Sequence, residues 1–214
     1  MSEEFSFKGP SRESAPVRLI SLADWATGVN SDPFDGFSTI PRANILQHLK
    51  RDMKSLQAYD GILHAGDYGY DLTSLDGLMG DNYMKSVEPL VSKFPYFTIP
   101  GNHESNGNFT HYKELFKTPG TENWYSFDLG HAHFIMMDSE AFVGRFHTDL
   151  MLENHVKWIK EDLEKNTKPF TIVLGHRPIY CNPNIKCKVC TNSCTYYCHT
   201  LIEHLEELFI QHNV

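Results

Sequence analysis

The chain has 214 residues, ample for one domain with a substantial core, and its 41% hydrophobic and 21% charged content is ordinary for a globular protein. A net charge of −8 with no basic block argues against a nucleic-acid partner, and no apolar run approaches the length of a membrane span. Any site for an anionic substrate must therefore make its positive potential locally, from a metal or a few basic side chains.

Residues 1–16 read as an extended polar lead-in, and SEEFSFKGPSRES after Met1 carries no signal-peptide pattern. VRLISLA (17–23) is apolar and β-branched enough for a buried strand, and Asp24 follows it. PRANILQHLKRDMKSLQ (41–57) opens on Pro41 and repeats Ile45, Leu46, Leu49, Met53 and Leu56 at helical spacing. GILHAG (61–66) reads as a short strand, and loose helical patterns follow to about residue 92. YFTIP (96–100) is another short strand, with GNHE after it.

WYSFDLG (124–130) and HAHFIMMDS (131–139) form an expected antiparallel pair turning at Gly130. LMLENHVKWIKEDLEKN (150–166) predicts a helix with Leu152, Val156, Ile159 and Leu163 on one face. PFTIVLG (169–175) is a strand ending at His176. A loop with the cysteines follows, and YYCHTLIEHLEELFIQH (196–212) is a helix with Leu201, Leu205, Leu208 and Phe209 as its apolar face. Strands alternating with helices predict a largely parallel or mixed α/β sheet, in which ligands gather beyond the carboxyl ends of the strands.

The polar residues fall where that scheme has its site. Asp24 follows the first strand; Asp67 and Tyr70 follow the second. Asn102 and His103 follow the third, and His176 follows strand 169–175. The first ligand of each set stands directly after a small residue, namely Ala23, Gly66, Gly101 and Gly175, which lets backbones crowd around a shared centre. Carboxylates, an amide oxygen and an imidazole suit Zn, Mn or Fe. A central carboxylate can bridge two cations, and such a pair can clamp a phosphate ester. Each residue alone has a plainer reading: Asp24 as a cap, Tyr70 as a half-buried aromatic, Asn102 as a turn residue, His176 as a hydrogen-bonded histidine.

LADWA, GDYGY, GNHE and GHRPIY resemble successive blocks of the metallophosphoesterase (calcineurin-like) superfamily and, more narrowly, of purple acid phosphatases. WYSFDLGHAHFI and WIKEDL follow the same course, so the resemblance runs from about residue 17 to the end. It implies an α/β fold, a metallophosphoesterase-type β-sandwich flanked by helices, and hydrolysis of phosphate monoesters in small molecules or phosphoproteins by a metal-bound hydroxide. It also implies a ferric ion held by Asp24, Asp67 and Tyr70. Asp67 would bridge to a divalent Fe, Zn or Mn that Asn102 and His176 also hold. A ferric ion makes sense of a phenolate, since it is hard and highly charged enough to keep Tyr70 deprotonated far below the usual value near 10. His103 would contact the phosphate or help protonate the leaving group, with a structural hydrogen bond as the alternative. Arg177 would aid phosphate binding, or make a surface ion pair. Secretion or a lysosomal location is the family's habit.

The chain departs from that pattern in places. The first block is Asp24-Trp25-Ala26 where the family has Asp-x-Gly. Ile185 and Lys186 stand where some members carry two histidines, which leaves the general acid unassigned. A final Gly-His-x-His block is missing, and His131 and His133 are no substitute because they lie within a strand pair. EEFSFKGP resembles the last strand of a preceding β-sandwich domain. The expected organisation is thus a lead-in at 1–16 and a catalytic domain at 17–214 lacking its C-terminal part, weakly active or inactive as it stands. A phosphodiesterase or nucleotide-cleaving member is the alternative enzyme. Cys181, Cys187, Cys190, Cys194 and Cys198 read as a disulfide-stapled loop rather than a zinc site. Asn108-Phe109-Thr110 is a glycosylation sequon of a kind that also arises by chance.

Overall fold

A computed structural model describes residues 9, 16–25, 59–120, 123–143, 148–180 and 193–214, the side chains of 193–197 excepted. The expected helix at 41–57, nearly all of the lead-in, Ala26, Ile185, Lys186 and the loop holding Cys181, Cys187 and Cys190 lie outside the described residues.

Strands β1 (Leu19–Leu22), β2 (Gly61–Ala65) and β3 (Tyr96–Ile99) form one parallel sheet in that order. Helix α1 (Leu78–Val91) connects β2 to β3, and the short α2 (Thr110–Leu115) follows β3. Strands β4 (Tyr125–Leu129) and β5 (Ala132–Met136) are an antiparallel pair, and β6 (Phe170–Leu174) joins β5 in parallel. Helices α3 (Asp149–Lys165) and α4 (Ser193–Gln211) flank this second sheet. The strands form two three-stranded sheets, because β4 pairs with β5 and not with β3, and this is the sandwich that the family resemblance implies.

The period-two alternation of a strand explains the layering. In β2, Leu63 and Ala65 face inward to meet Tyr125, Phe134 and Met136 of the other sheet, while Ile62 faces outward to a cluster with α1 and α2. In the second sheet, Phe134 and Met136 face inward, whereas Ile135 and Met137 face Ile159, Leu163, Leu201 and Leu205 of α3 and α4. The result is a sandwich of two sheets with helices on both outer faces. Each fully buried Leu, Ile or Phe in these clusters contributes about 1.5–3 kcal/mol. Tyr125 ties the two sheets across their edges: its hydroxyl accepts from the Thr98 N–H at 3.0 Å and donates to the Thr98 carbonyl at 3.0 Å.

Helix α3 starts where the sequence supplies an N-cap: the Thr148 side chain accepts from the Met151 N–H, one of the donors that no helical carbonyl can satisfy. His133 occupies β5, and its ring lies between Asp128 Oδ1 (2.7 Å) and Asp162 Oδ2 (2.8 Å); His131 is an exposed turn residue. Cys198 is buried and disulfide-bonded, which removes it from any zinc ligand set. No helix among the described residues is long and apolar enough to cross a membrane.

Candidate metal centre

The carboxyl ends of β1, β2 and β3, together with that of β6 from the second sheet, converge at one end of the sandwich. Backbone pairing carries β1 and β2 past their last ladder residues: the Asp24 N–H donates to the Gly66 carbonyl at 3.1 Å and the Trp25 N–H to the Asp67 carbonyl at 3.0 Å. This brings the two aspartates side by side. Asp24, Asp67 and Tyr70 all have positive φ, at 54°, 60° and 40°. Non-glycine residues held there cost energy that the surroundings must offset, and such strain gathers at functional sites.

Gly66 and Gly101 are required by contact. A Cβ at Gly66 would lie 2.5 Å from the Gly101 nitrogen, and φ there is +85°. A Cβ at Gly101 would press on the Asp67 carboxylate and sit 3.0 Å from His176 Cε1. The turns after β2 and β3 therefore approach as closely as bare backbone allows.

Asp24, Asp67 and His176 each offer a ligand atom within 4.8 Å of the others. Tyr70 joins through its hydroxyl, 3.0 Å from Asp24 Oδ1. Asn102 joins through Oδ1, 3.2 Å from His176 Nε2. His176 Nδ1 lies 2.7 Å from the Ala65 carbonyl. A carbonyl only accepts, so Nδ1 carries the proton and, in the neutral ring, Nε2 presents a lone pair. That lone pair faces Asn102 Oδ1 and, at 3.5 Å, Asp67 Oδ1. Acceptors thus confront acceptors; a proton on Nε2 would satisfy one such contact, whereas a cation satisfies all of them. The donor set fits hard and borderline metals.

Two residues that the sequence reading left without a role support the site. Glu104, buried in the turn after β3, accepts from the N–H groups of Asp67 (2.8 Å), Tyr68 (2.9 Å) and Gly101 (2.8 Å). It therefore holds the β2 and β3 ligand loops together. Burial first, and then the Asp67 charge, push its carboxyl up to about 7 against those three donors. Asp71 accepts from His103 Nδ1 at 2.7 Å, and Tyr70 lies against the same imidazole with ring centroids 4.4 Å apart. His103 Nε2 is thereby turned toward the centre, 3.9 Å from Asp67 Oδ2. Asp71 stands next to Tyr70 in sequence, but nothing local says that it reaches residue 103.

Arg177 lies beside His176 but makes a bidentate pair with Glu140, Nε to Oε1 at 2.7 Å and Nη2 to Oε2 at 3.0 Å. The pair is no surface contact, since Glu140 is fully buried. Behind the centre, burial first and the facing His176 second push His64 down to about 3, leaving it neutral among Tyr68, Tyr83 and Tyr96.

Two facing sheets between helices, with carboxylate, amide and imidazole side chains delivered to one place from four strand ends, define a metallophosphoesterase architecture. The chain belongs to the calcineurin-like phosphoesterase family, whose match spans residues 24–207. Among its relatives, acid phosphatase type 7 of Mus musculus is 38% identical over 144 residues, covering 64% of this chain and 33% of the relative. Purple acid phosphatase 23 of Arabidopsis thaliana is 29% identical over 214 residues, covering 84% of this chain and 43% of the relative. The chain thus spans well under half the length of either. In fold it is similar to a purple acid phosphatase from yellow lupin seeds, with a TM-score of 0.65 and 22% identity over 84% of this chain and 34% of that one. A second protein similar in fold is GAP50, the anchor in the inner membrane complex of Plasmodium, with a TM-score of 0.64, 21% identity and coverage of 92% of this chain and 63% of that one.

Proposed function

We propose that the chain carries the ligand set of a purple-acid-phosphatase-like dinuclear metal hydrolase acting on phosphate monoesters. The observation that carries the reading is the convergence of Asp24, Asp67 and His176, with Tyr70 and Asn102 in contact with them. Asp24, Asp67 and Tyr70 would hold a ferric ion; Asp67, Asn102 and His176 would hold a divalent one. When bound, such a pair supplies the positive potential that a chain of charge −8 otherwise lacks, and activates water at the phosphorus.

The chain's own residues do the rest. Asp71 fixes the His103 tautomer, so that Nε2 faces the space where a phosphoryl oxygen or leaving oxygen sits. Tyr70 packs against the same ring at a tilt. Glu104 keeps Asp67 and Asn102 from moving apart by binding the backbone of both loops. Relatives named acid phosphatases support the monoester assignment.

The test is metal content and turnover on one preparation. The protein is loaded with iron plus zinc or manganese and assayed at acid pH on a phosphate monoester and a diester. Metal uptake that is lost in Asp67→Asn, with turnover that is weak but higher on the monoester than on the diester, is the expected result. Metal retained in Asp67→Asn, or preferential diester cleavage, overturns the reading.

A further inference from the structure

Of the proposed metal ligands only His176 comes from the second sheet, and its strand, β6, is an edge of that sheet among the described residues. Phe170 and Ile172 of β6 are 64% and 43% exposed. Asp67 and Asn102 have Glu104 to hold their loops together. A ligand at the end of an exposed edge strand needs a fixture of its own. The turn that leaves β5 grips the chain just before and just after His176. The Met137 N–H donates to the Leu174 carbonyl at 2.9 Å, and the Arg177 N–H donates to Ser139 Oγ at 2.9 Å. A Cβ at Gly175 would lie 2.7 Å from Met137 Cε, so the two segments touch.

The Arg177 side chain adds a stronger link. Its guanidinium meets Glu140 through two parallel bonds, which fix direction as well as distance. Glu140 is anchored in turn: its N–H donates to Asp138 Oδ1 at 3.0 Å, and Asp138 Oδ2 accepts from Asn123 Nδ2 at 3.0 Å. Glu140, Asp138 and Asn123 are all buried. Taking a charged pair out of water is costly, and apolar residues of similar volume often stabilise a fold as well or better. Stability alone therefore does not account for the pair. A planar fork on a carboxylate supplies a fixed orientation, which an apolar contact does not.

We propose that Arg177 and Glu140 are positioning residues for His176: together they set the direction from which its imidazole enters the metal centre. From the first sheet, the Ala65 carbonyl accepts from His176 Nδ1 at 2.7 Å. The ring is thus fixed between the two sheets, with Nε2 turned toward Asn102 and Asp67. Groups that orient a metal-binding histidine are worth about 10- to 100-fold in metal affinity. The effect on metal rests on the proposed reading of His176 as a ligand; the effect on ring orientation does not.

Variants of the full chain are compared by urea unfolding, by calorimetric titration with zinc, and by nitrogen NMR of the histidine rings in metal-free protein. The His176 signals are assigned with His176→Gln. The natural chain should show His176 protonated on Nδ1 alone. Arg177→Met leaves the Glu140 charge buried and unpaired and should be strongly destabilised. Glu140→Met combined with Arg177→Met removes that charge and should recover most of the stability. The double variant should nevertheless show both ring tautomers and bind zinc about 10- to 100-fold more weakly. Glu140→Gln keeps one acceptor and loses the second, and it should show the same tautomer mixture without an orphaned buried charge. A single Nδ1 tautomer in either folded variant overturns the proposal, as does a mixture in the natural chain. Zinc uptake that survives Asp67→Asn overturns the metal reading instead, and the tautomers still decide the role of the pair.

Discussion

The Tyr70 hydroxyl stands 3.0 Å from Asp24 Oδ1, although 46 positions separate the two residues in sequence. A carboxylate and a phenol this close, on separate strand ends, share either a hydrogen bond or a cation. Replacing Tyr70 with Phe tells them apart. In iron-loaded protein the change should abolish any visible phenolate-to-iron absorption. The fold should lose only about 1 kcal/mol, the usual net worth of one hydrogen bond. An unchanged spectrum would return Tyr70 to the role of a half-buried aromatic.

The Asp71–His103 pair at 2.7 Å makes a prediction that can be read without turnover. Orthophosphate binding to the metal-loaded protein, followed by calorimetry, should weaken about 10- to 100-fold in His103→Ala. That is the equivalent of one hydrogen bond to a charged group. Asp71→Asn should weaken it less, because the ring stays but loses the partner that fixes its tautomer. The double variant should cost little more than His103→Ala alone, since Asp71 acts through the imidazole. Additive losses would mean that Asp71 meets the phosphate by itself.

Gly66 and Gly107 both have positive φ, +85° and +61°, but only Gly66 has a neighbour in the way. Alanine at Gly107 should cost about 1 kcal/mol in urea unfolding, the backbone strain alone. Alanine at Gly66 adds a clash with the Gly101 backbone and should cost about 2–5 kcal/mol. It should also weaken metal binding, because the two ligand loops must separate. Equal costs at the two positions would mean that the close approach of these loops is not required.

The strand ends were the legible part of this molecule. An apolar run, a small residue and then a candidate ligand recur at Asp24, Asp67, Asn102 and His176, and the structure brings those four together. Helical faces were legible for the same reason: Ile159 and Leu163, or Leu201 and Leu205, bury what their spacing says they should. The division into two sheets was legible through the family resemblance and not through the strand patterns, because apolar strands announce burial and not which neighbour they pair with. Asp71 and Glu104 were missed because their roles lie in contacts 32 and 37 residues away. Arg177 shows the same limit, since its partner Glu140 is fixed by the packing of β5 against β6.

His133 supplies the pH prediction, at the end of β5 opposite the metal centre. Its two nitrogens face Asp128 of β4 and Asp162 of α3, Ser126 donates to the other Asp162 oxygen at 2.8 Å, and Lys168 Nζ lies 3.9 Å from Asp128 Oδ2. Burial lowers the imidazole's affinity for a proton, but the hydrogen bonds and charges of the two carboxylates outweigh it, so the folded value is raised. A histidine raised on folding binds its proton more tightly in the native state than in the unfolded chain. Its stabilisation is therefore complete below the unfolded value, about 6.5, and is lost as pH rises through the higher folded value. The difference in unfolding free energy between the natural chain and His133→Gln should be largest near pH 6 and shrink toward pH 9. At pH 6 the substitution should cost about 1.5–3 kcal/mol, the range for hydrogen bonds to charged groups. A difference that stays flat or grows with pH would mean that His133 is held as a neutral ring, with Lys168 carrying the charge balance of the cluster.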